Sequence, residues 1–83
     1  MIPIKCQHEL KILPEYFKAV REGIKKFELR KDDRHYSVGD ELILKEWNGA
    51  EYTGHSVTVQ ITYILKGCPE YGLKSGYCIL GWR

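Results

Sequence analysis

Residues 23–30 read Gly-Ile-Lys-Lys-Phe-Glu-Leu-Arg, a short run in which charged and apolar side chains are interleaved. If residues 26–30 form a strand, alternate side chains share a face, and Lys26, Glu28 and Arg30 stand about 7 Å apart along one side. Lys25 sits where that strand begins. An arginine grips a phosphate through parallel N–H donors, and a lysine adds a mobile positive charge. A carboxylate among them orients the arginine, or accepts hydrogen bonds from a base edge or a ribose hydroxyl. The same residues also allow hydrolysis, with Glu28 as general base and Lys25 as electrostatic stabiliser. The plainer reading is a salt-bridged strand face in water, where each pair contributes at most about 1 kcal/mol.

Further residues could join such a site. His8 can hydrogen-bond a base or act as a general base near neutral pH, or it is a satisfied, half-buried histidine. Trp47 is either a platform on which a base stacks or cover for the core. Arg34, with Lys31 and Tyr36, extends a cationic rim or is simply solvated.

These residues need a scaffold, and the apolar pattern supplies one. In residues 2–12 the even positions Ile2, Ile4, Cys6, His8, Leu10 and Ile12 share one phase, which predicts a strand with those residues inward. Pro14 and Glu15 suit the first turn of a helix. Tyr16, Phe17, Val20 and Ile24 give it an apolar stripe, and Gly23 its stop. Residues 26–30 alternate as a second strand, with Phe27 and Leu29 opposite the charged face. After the turn at Val38-Gly39-Asp40, residues 41–47 form a third strand with Leu42 and Leu44 inward. Asn48-Gly49 signals a hairpin longer than two residues. Residues 56–65 read as one long strand with Val57, Val59, Ile61, Tyr63 and Leu65 on one face, and residues 77–82 as the last. Several alternating strands with one helix in so short a chain favour a small closed barrel.

Composition narrows the function classes. Eighty-three residues support one core and one domain, residues 1–83. The balance of 13 basic against 11 acidic side chains does not announce a nucleic-acid binder. Yet Lys18, Arg21, Lys25, Lys26, Arg30, Lys31 and Arg34 crowd into one stretch, with only Glu22, Glu28, Asp32 and Asp33 beside them. Cys6, Cys68 and Cys78 offer no Cys-x-x-Cys step, so free thiols are expected, with no metal and no cofactor. No apolar run approaches the roughly 20 residues that span a bilayer, and the first residues lack a signal-peptide pattern. A monomeric cytoplasmic protein without membrane contact is the expectation.

Residues 23–30 resemble the Gly-x-Lys-x-x-Glu-x-Arg signature of the ASCH superfamily. His8-Glu9-Leu10-Lys11 with Pro14-x-Tyr16-Phe17 is similar to a bacterial and phage subfamily of these domains. Val38-Gly39-Asp40, Glu46-Trp47, Tyr52-Thr53-Gly54 and Gly76-Tyr77-x-Ile79-Leu80 fit the same subfamily, in the same order. The resemblance implies an α+β fold, a small PUA-like mixed β-barrel of about five or six strands with one or two short helices. It also implies a cleft between helix and strands that takes RNA or a nucleotide-like small molecule. Some ASCH relatives are amidohydrolases whose nucleophile is a threonine three positions after the signature lysine. Glu28 stands at that position here, so a hydroxyl-derived acyl-enzyme is not available. The expected function is an RNA- or nucleotide-binding module at Lys25, Lys26, Glu28, Arg30, His8, Arg34 and Trp47. A small hydrolase using Glu28, Lys25 and His8 is the alternative, and a protein-interaction domain the third reading.

Overall fold

The computed structural model describes residues 6–83. Ile2 and Ile4 of the expected first strand lie outside them. The elements run β1 (Gln7–Ile12), α1 (Pro14–Arg21), β2 (Phe27–Lys31), β3 (Glu41–Trp47), β4 (Tyr52–Gln60), β5 (Tyr63–Lys66), a 3-10 turn (Pro69–Tyr71) and β6 (Tyr77–Gly81).

The strands form two open three-stranded sheets in place of the closed barrel expected. In one, β1 lies parallel to β3, and β4 returns antiparallel beside it. In the other, β6 is central, with β2 and β5 antiparallel on either side. The single strand expected over residues 56–65 is instead two. At Ile61 the backbone leaves the β3 ladder: its amide donates to the Asp40 carbonyl at 2.9 Å, and its carbonyl accepts from Gly39 at 2.8 Å. The next amide, Thr62, donates to the Gly81 carbonyl of the other sheet at 2.8 Å. The chain thus changes sheets at a corner, and side-chain phase changes with it. Ile61 is buried, Ile64 packs against the core, and Tyr63 and Leu65 are exposed rather than inward.

The core fills the space between the inward faces and the helix. Leu10 and Ile12 of β1, Leu42 and Leu44 of β3, Cys78 and Leu80 of β6, and Phe17 and Val20 of α1 are all buried, with Tyr36, Ile61 and Trp82. Cys6, Tyr16 and Ile24, expected inward, are exposed. The helix buries only the two residues of its stripe that face β3, because it ends after two turns.

The helix ending also places Lys25. Gly23 takes φ 75°, a left-handed conformation that costs a glycine nothing. Its amide donates to Val20, and the amide of Ile24 reaches back to Ala19 at 2.9 Å, the paired bonds of a Schellman cap. The Ala19 carbonyl also accepts from the Lys25 amide at 3.0 Å, which fixes Lys25 at the foot of the helix. The turn before β3 is as expected, with Gly39 at φ 99°. Residues 48–51 close the hairpin, where the Asn48 side-chain oxygen accepts from the amides of Ala50 and Glu51. Among the described residues, no helix is long and apolar enough to cross a membrane.

Candidate functional site

The charged face of β2 points inward, and this is forced by its partner. Glu28 pairs with Leu80 and Arg30 with Cys78, and both partners are fully buried. Paired residues on antiparallel strands share a face, so Glu28 and Arg30 turn toward the interior while Phe27 and Leu29 turn out. Phe27 and Leu29 are accordingly 49% and 56% exposed, and Glu28 only 6%.

A buried carboxylate is costly unless it is paired and hydrogen-bonded. Glu28 meets that requirement on both oxygens. The Lys25 ammonium donates to Oε1, and Arg30 Nε donates to Oε2 at 3.0 Å. Lys25 Nζ also donates to the Phe27 carbonyl at 2.6 Å, and Arg30 Nη2 to the Lys11 carbonyl at the end of β1. The cluster therefore ties the helix end, β2 and β1 together.

Above it lies a cleft of about 480 Å³, within the usual range for small-molecule sites. Tyr16, Phe27, Leu13 and Leu29 give it apolar walls, and Lys11, Lys25, Arg30 and Lys31 face it with Glu28 the one carboxylate. The Lys25 ammonium lies 5.7 Å from the Tyr16 ring and 5.0 Å from the Phe27 ring, so one cation sits beside both aromatics. The lining holds no serine, threonine, cysteine or histidine. Such a cleft can stack a planar group, receive an anion and offer a carboxylate acceptor.

Lys25, Glu28 and Arg30 are thus brought together, and the other expected residues lie around or away from them. Lys26 is exposed and outside the lining. Arg34 is exposed, donates to the Glu9 carbonyl at 2.8 Å, and shares a smaller hollow of about 130 Å³ with Arg30, Lys31 and Tyr36. Trp47 is half-buried, edge-on to Tyr52, and the Lys11 ammonium covers its ring at 4.1 Å. The ring thus carries a lysine of the cleft rim.

His8 does not line the cleft. Its Nε2 lies 2.8 Å from Asp40 Oδ2, with the Tyr36 ring edge-on at 4.7 Å. Asp40 also accepts from the Ser37 amide at 3.0 Å. This buried pair holds the turn entering β3 against β1. Sequence reading missed Asp40, although the Ser37-x-Gly39-Asp40 spacing is that of a side chain capping its own turn. It missed Tyr16 and Phe27 as cleft walls too; an inward Glu28 implies an outward Phe27.

Burial pushes the Asp40 carboxyl up, but hydrogen bonds from His8 and the backbone at Ser37 and Cys6, with the attraction of His8, outweigh it and hold it below its ordinary 3.8. A carboxyl lowered in the folded state adds stability that is complete above its unfolded value and disappears as pH falls through the folded one. Unfolding free energy followed from pH 7 to pH 2 should therefore fall more steeply below about pH 4 in the wild type than in Asp40→Asn. Parallel curves would mean that Asp40 gains nothing from its partners.

Among the described residues no cluster of three or more His, Cys, Asp and Glu is arranged to hold a metal ion. The thiols of Cys6, Cys68 and Cys78 are free.

Residues 7–82 match the family described as "Domain of unknown function (DUF3850)". An uncharacterised 12.9 kDa protein encoded in the GpA 3′ region of Escherichia phage P2 is 49% identical over 55 residues. That stretch covers 66% of this chain and 50% of the phage protein, so the likeness takes in half of the relative's length.

Proposed function

We propose that this chain, which belongs to the DUF3850 family, is a non-catalytic module that holds a nucleotide unit of RNA in the cleft over Lys25, Glu28 and Arg30. The observation that carries this reading is the buried Glu28 carboxylate, clamped by two cations at the floor of a cleft with aromatic walls. Within the protein, Arg30 donates through Nε and Nη2, which leaves Nη1 for a phosphate oxygen. A base can stack against Tyr16 or Phe27, each about half-exposed, for roughly 1–3 kcal/mol. Glu28 offers an acceptor for a ribose hydroxyl, the group that distinguishes RNA from DNA.

Two features favour binding over hydrolysis. Each Glu28 oxygen is pinned by one cation, which fixes the carboxylate as part of the scaffold, and the acceptor capacity left on it suits a ligand hydroxyl. The lining also lacks a hydroxyl or thiol nucleophile other than the Tyr16 phenol. The reading extends to kinship with the ASCH superfamily and its PUA-like topology. Its support is that the glycine, lysine, glutamate and arginine of residues 23–30 serve one site: Gly23 sets the turn and the others build the cluster.

The test is fluorescence anisotropy of a labelled short RNA across a range of salt. Affinity should fall as salt rises, with a logarithmic slope near −0.7 for each phosphate neutralised, roughly −1.5 to −3 in all. Lys31→Ala should make the slope shallower by about one such step. A salt-independent affinity, or RNA cleaved during the titration, would remove this reading.

A further inference from the structure

The outward side of the sheet formed by β2, β6 and β5 is apolar and open. Because Cys78 and Leu80 are buried, the alternate residues Tyr77, Ile79 and Gly81 face away from the core. Their register partners face the same way. Phe27, Gly81 and Tyr63 form one row across the sheet; Leu29, Ile79 and Leu65 form the next. Tyr63 is 65% exposed, and Leu65 is exposed with it. A side chain at Gly81 would begin 4.0 Å from the Tyr63 Cβ, on the same surface, so the glycine leaves a gap between the two rings. Phe27 and Tyr63 stand about two strand spacings apart, roughly 10 Å.

This surface is continuous with the cleft. Phe27 and Leu29 line the cleft from one side and belong to the sheet rows on the other. Leu29 also borders a second hollow of about 240 Å³ with Leu73, Lys74 and Tyr77. The outward positions of the three strands carry Lys31 and no carboxylate, and the Lys74 ammonium lies 5.7 Å from the Tyr77 ring.

We propose that this sheet face carries the continuation of a single RNA strand whose anchoring nucleotide occupies the cleft, with Phe27 and Tyr63 stacking successive bases and Lys31 and Lys74 meeting the backbone. The inference rests on the nucleotide-binding reading of the cleft and narrows its ligand from a mononucleotide to a single-stranded polymer. Aromatic rings with cations beside them are what a flexible strand recognises irrespective of sequence. A face whose charges are all cationic suits a polyanion better than a second copy of itself, which would bring like charges together.

The experiment compares binding of uridine monophosphate with that of a uridine oligomer of about eight residues, in the range that single-strand sites take. The wild type should bind the oligomer at least tenfold more tightly. Tyr63→Ala should weaken the oligomer roughly tenfold and leave the mononucleotide unchanged, while Tyr63→Phe, which keeps the ring, should match the wild type. Tyr63 lies outside the core and the cleft lining, so the fold tolerates both changes, and an unaltered melting temperature checks this. If Tyr63→Ala binds the oligomer as the wild type does while the mononucleotide still binds, the sheet path is wrong and the cleft reading stands. If neither ligand binds, the cleft reading fails and the inference falls with it. A dimer of the free protein that Tyr63→Ala dissolves would make the face a self-association surface and overturn the proposal.

Discussion

Glu28→Ala is expected to cost about 3 kcal/mol of stability, the lower end of what removing one partner of a buried ion pair costs. Two cations would be left facing a cavity with no counter-charge. The loss is held to the lower end because Lys25 and Arg30 retain 16% and 26% of their side-chain exposure and can turn partly toward water. Glu28→Gln keeps the volume and one acceptor oxygen, and should lose roughly half as much. In a chain of this size, about 3 kcal/mol lowers the melting temperature by on the order of 15 °C. Urea denaturation of the three proteins checks the order. An alanine variant as stable as the wild type would mean the cluster is an ordinary surface ion pair.

Arg30→Ala should weaken binding of a short RNA by about tenfold to a hundredfold, the range of a charge-assisted hydrogen bond to phosphate. Arg30→Lys retains the charge but not the planar fork, and should recover only part of that loss. Because Arg30 also bonds to Glu28 and to the Lys11 carbonyl, the comparison needs melting curves beside the calorimetric titrations. A folded Arg30→Ala protein with unchanged affinity would take phosphate recognition away from this residue.

Much of the scaffold could be read from single residues. Pro14 and Gly23 bound the helix because one fixes φ and the other tolerates the left-handed conformation, and Leu42 and Leu44 announced the buried face of β3. Residues 56–65 misled because their alternation continues unbroken through Ile61, while the corner there depends on backbone bonds to Gly39 and Asp40, far away in sequence. Without that corner the strands suggest one closed barrel; with it they divide into two sheets.

The site was legible in composition but not in orientation. Lys25, Glu28 and Arg30 stood out by type and spacing, yet hydrophobicity assigns Phe27 and Leu29 to the interior of β2 and the charges to water. The register with Cys78 and Leu80 decides otherwise, and local pattern does not encode it. His8 was identified as polar on an inward face, but its partner Asp40 is 32 positions away, and only the parallel pairing of β1 with β3 brings them together.

RNA binding at the cleft is tested most simply by a chemical-shift titration of the wild-type protein with a short uridine oligonucleotide, the ligand recovered intact afterwards. Shifts should concentrate on Tyr16, Lys25, Phe27, Glu28 and Arg30, with His8 and Asp40 unmoved. Shifts confined to the His8–Asp40 side of the molecule, or no shifts at all, would contradict nucleotide binding over the Glu28 cluster.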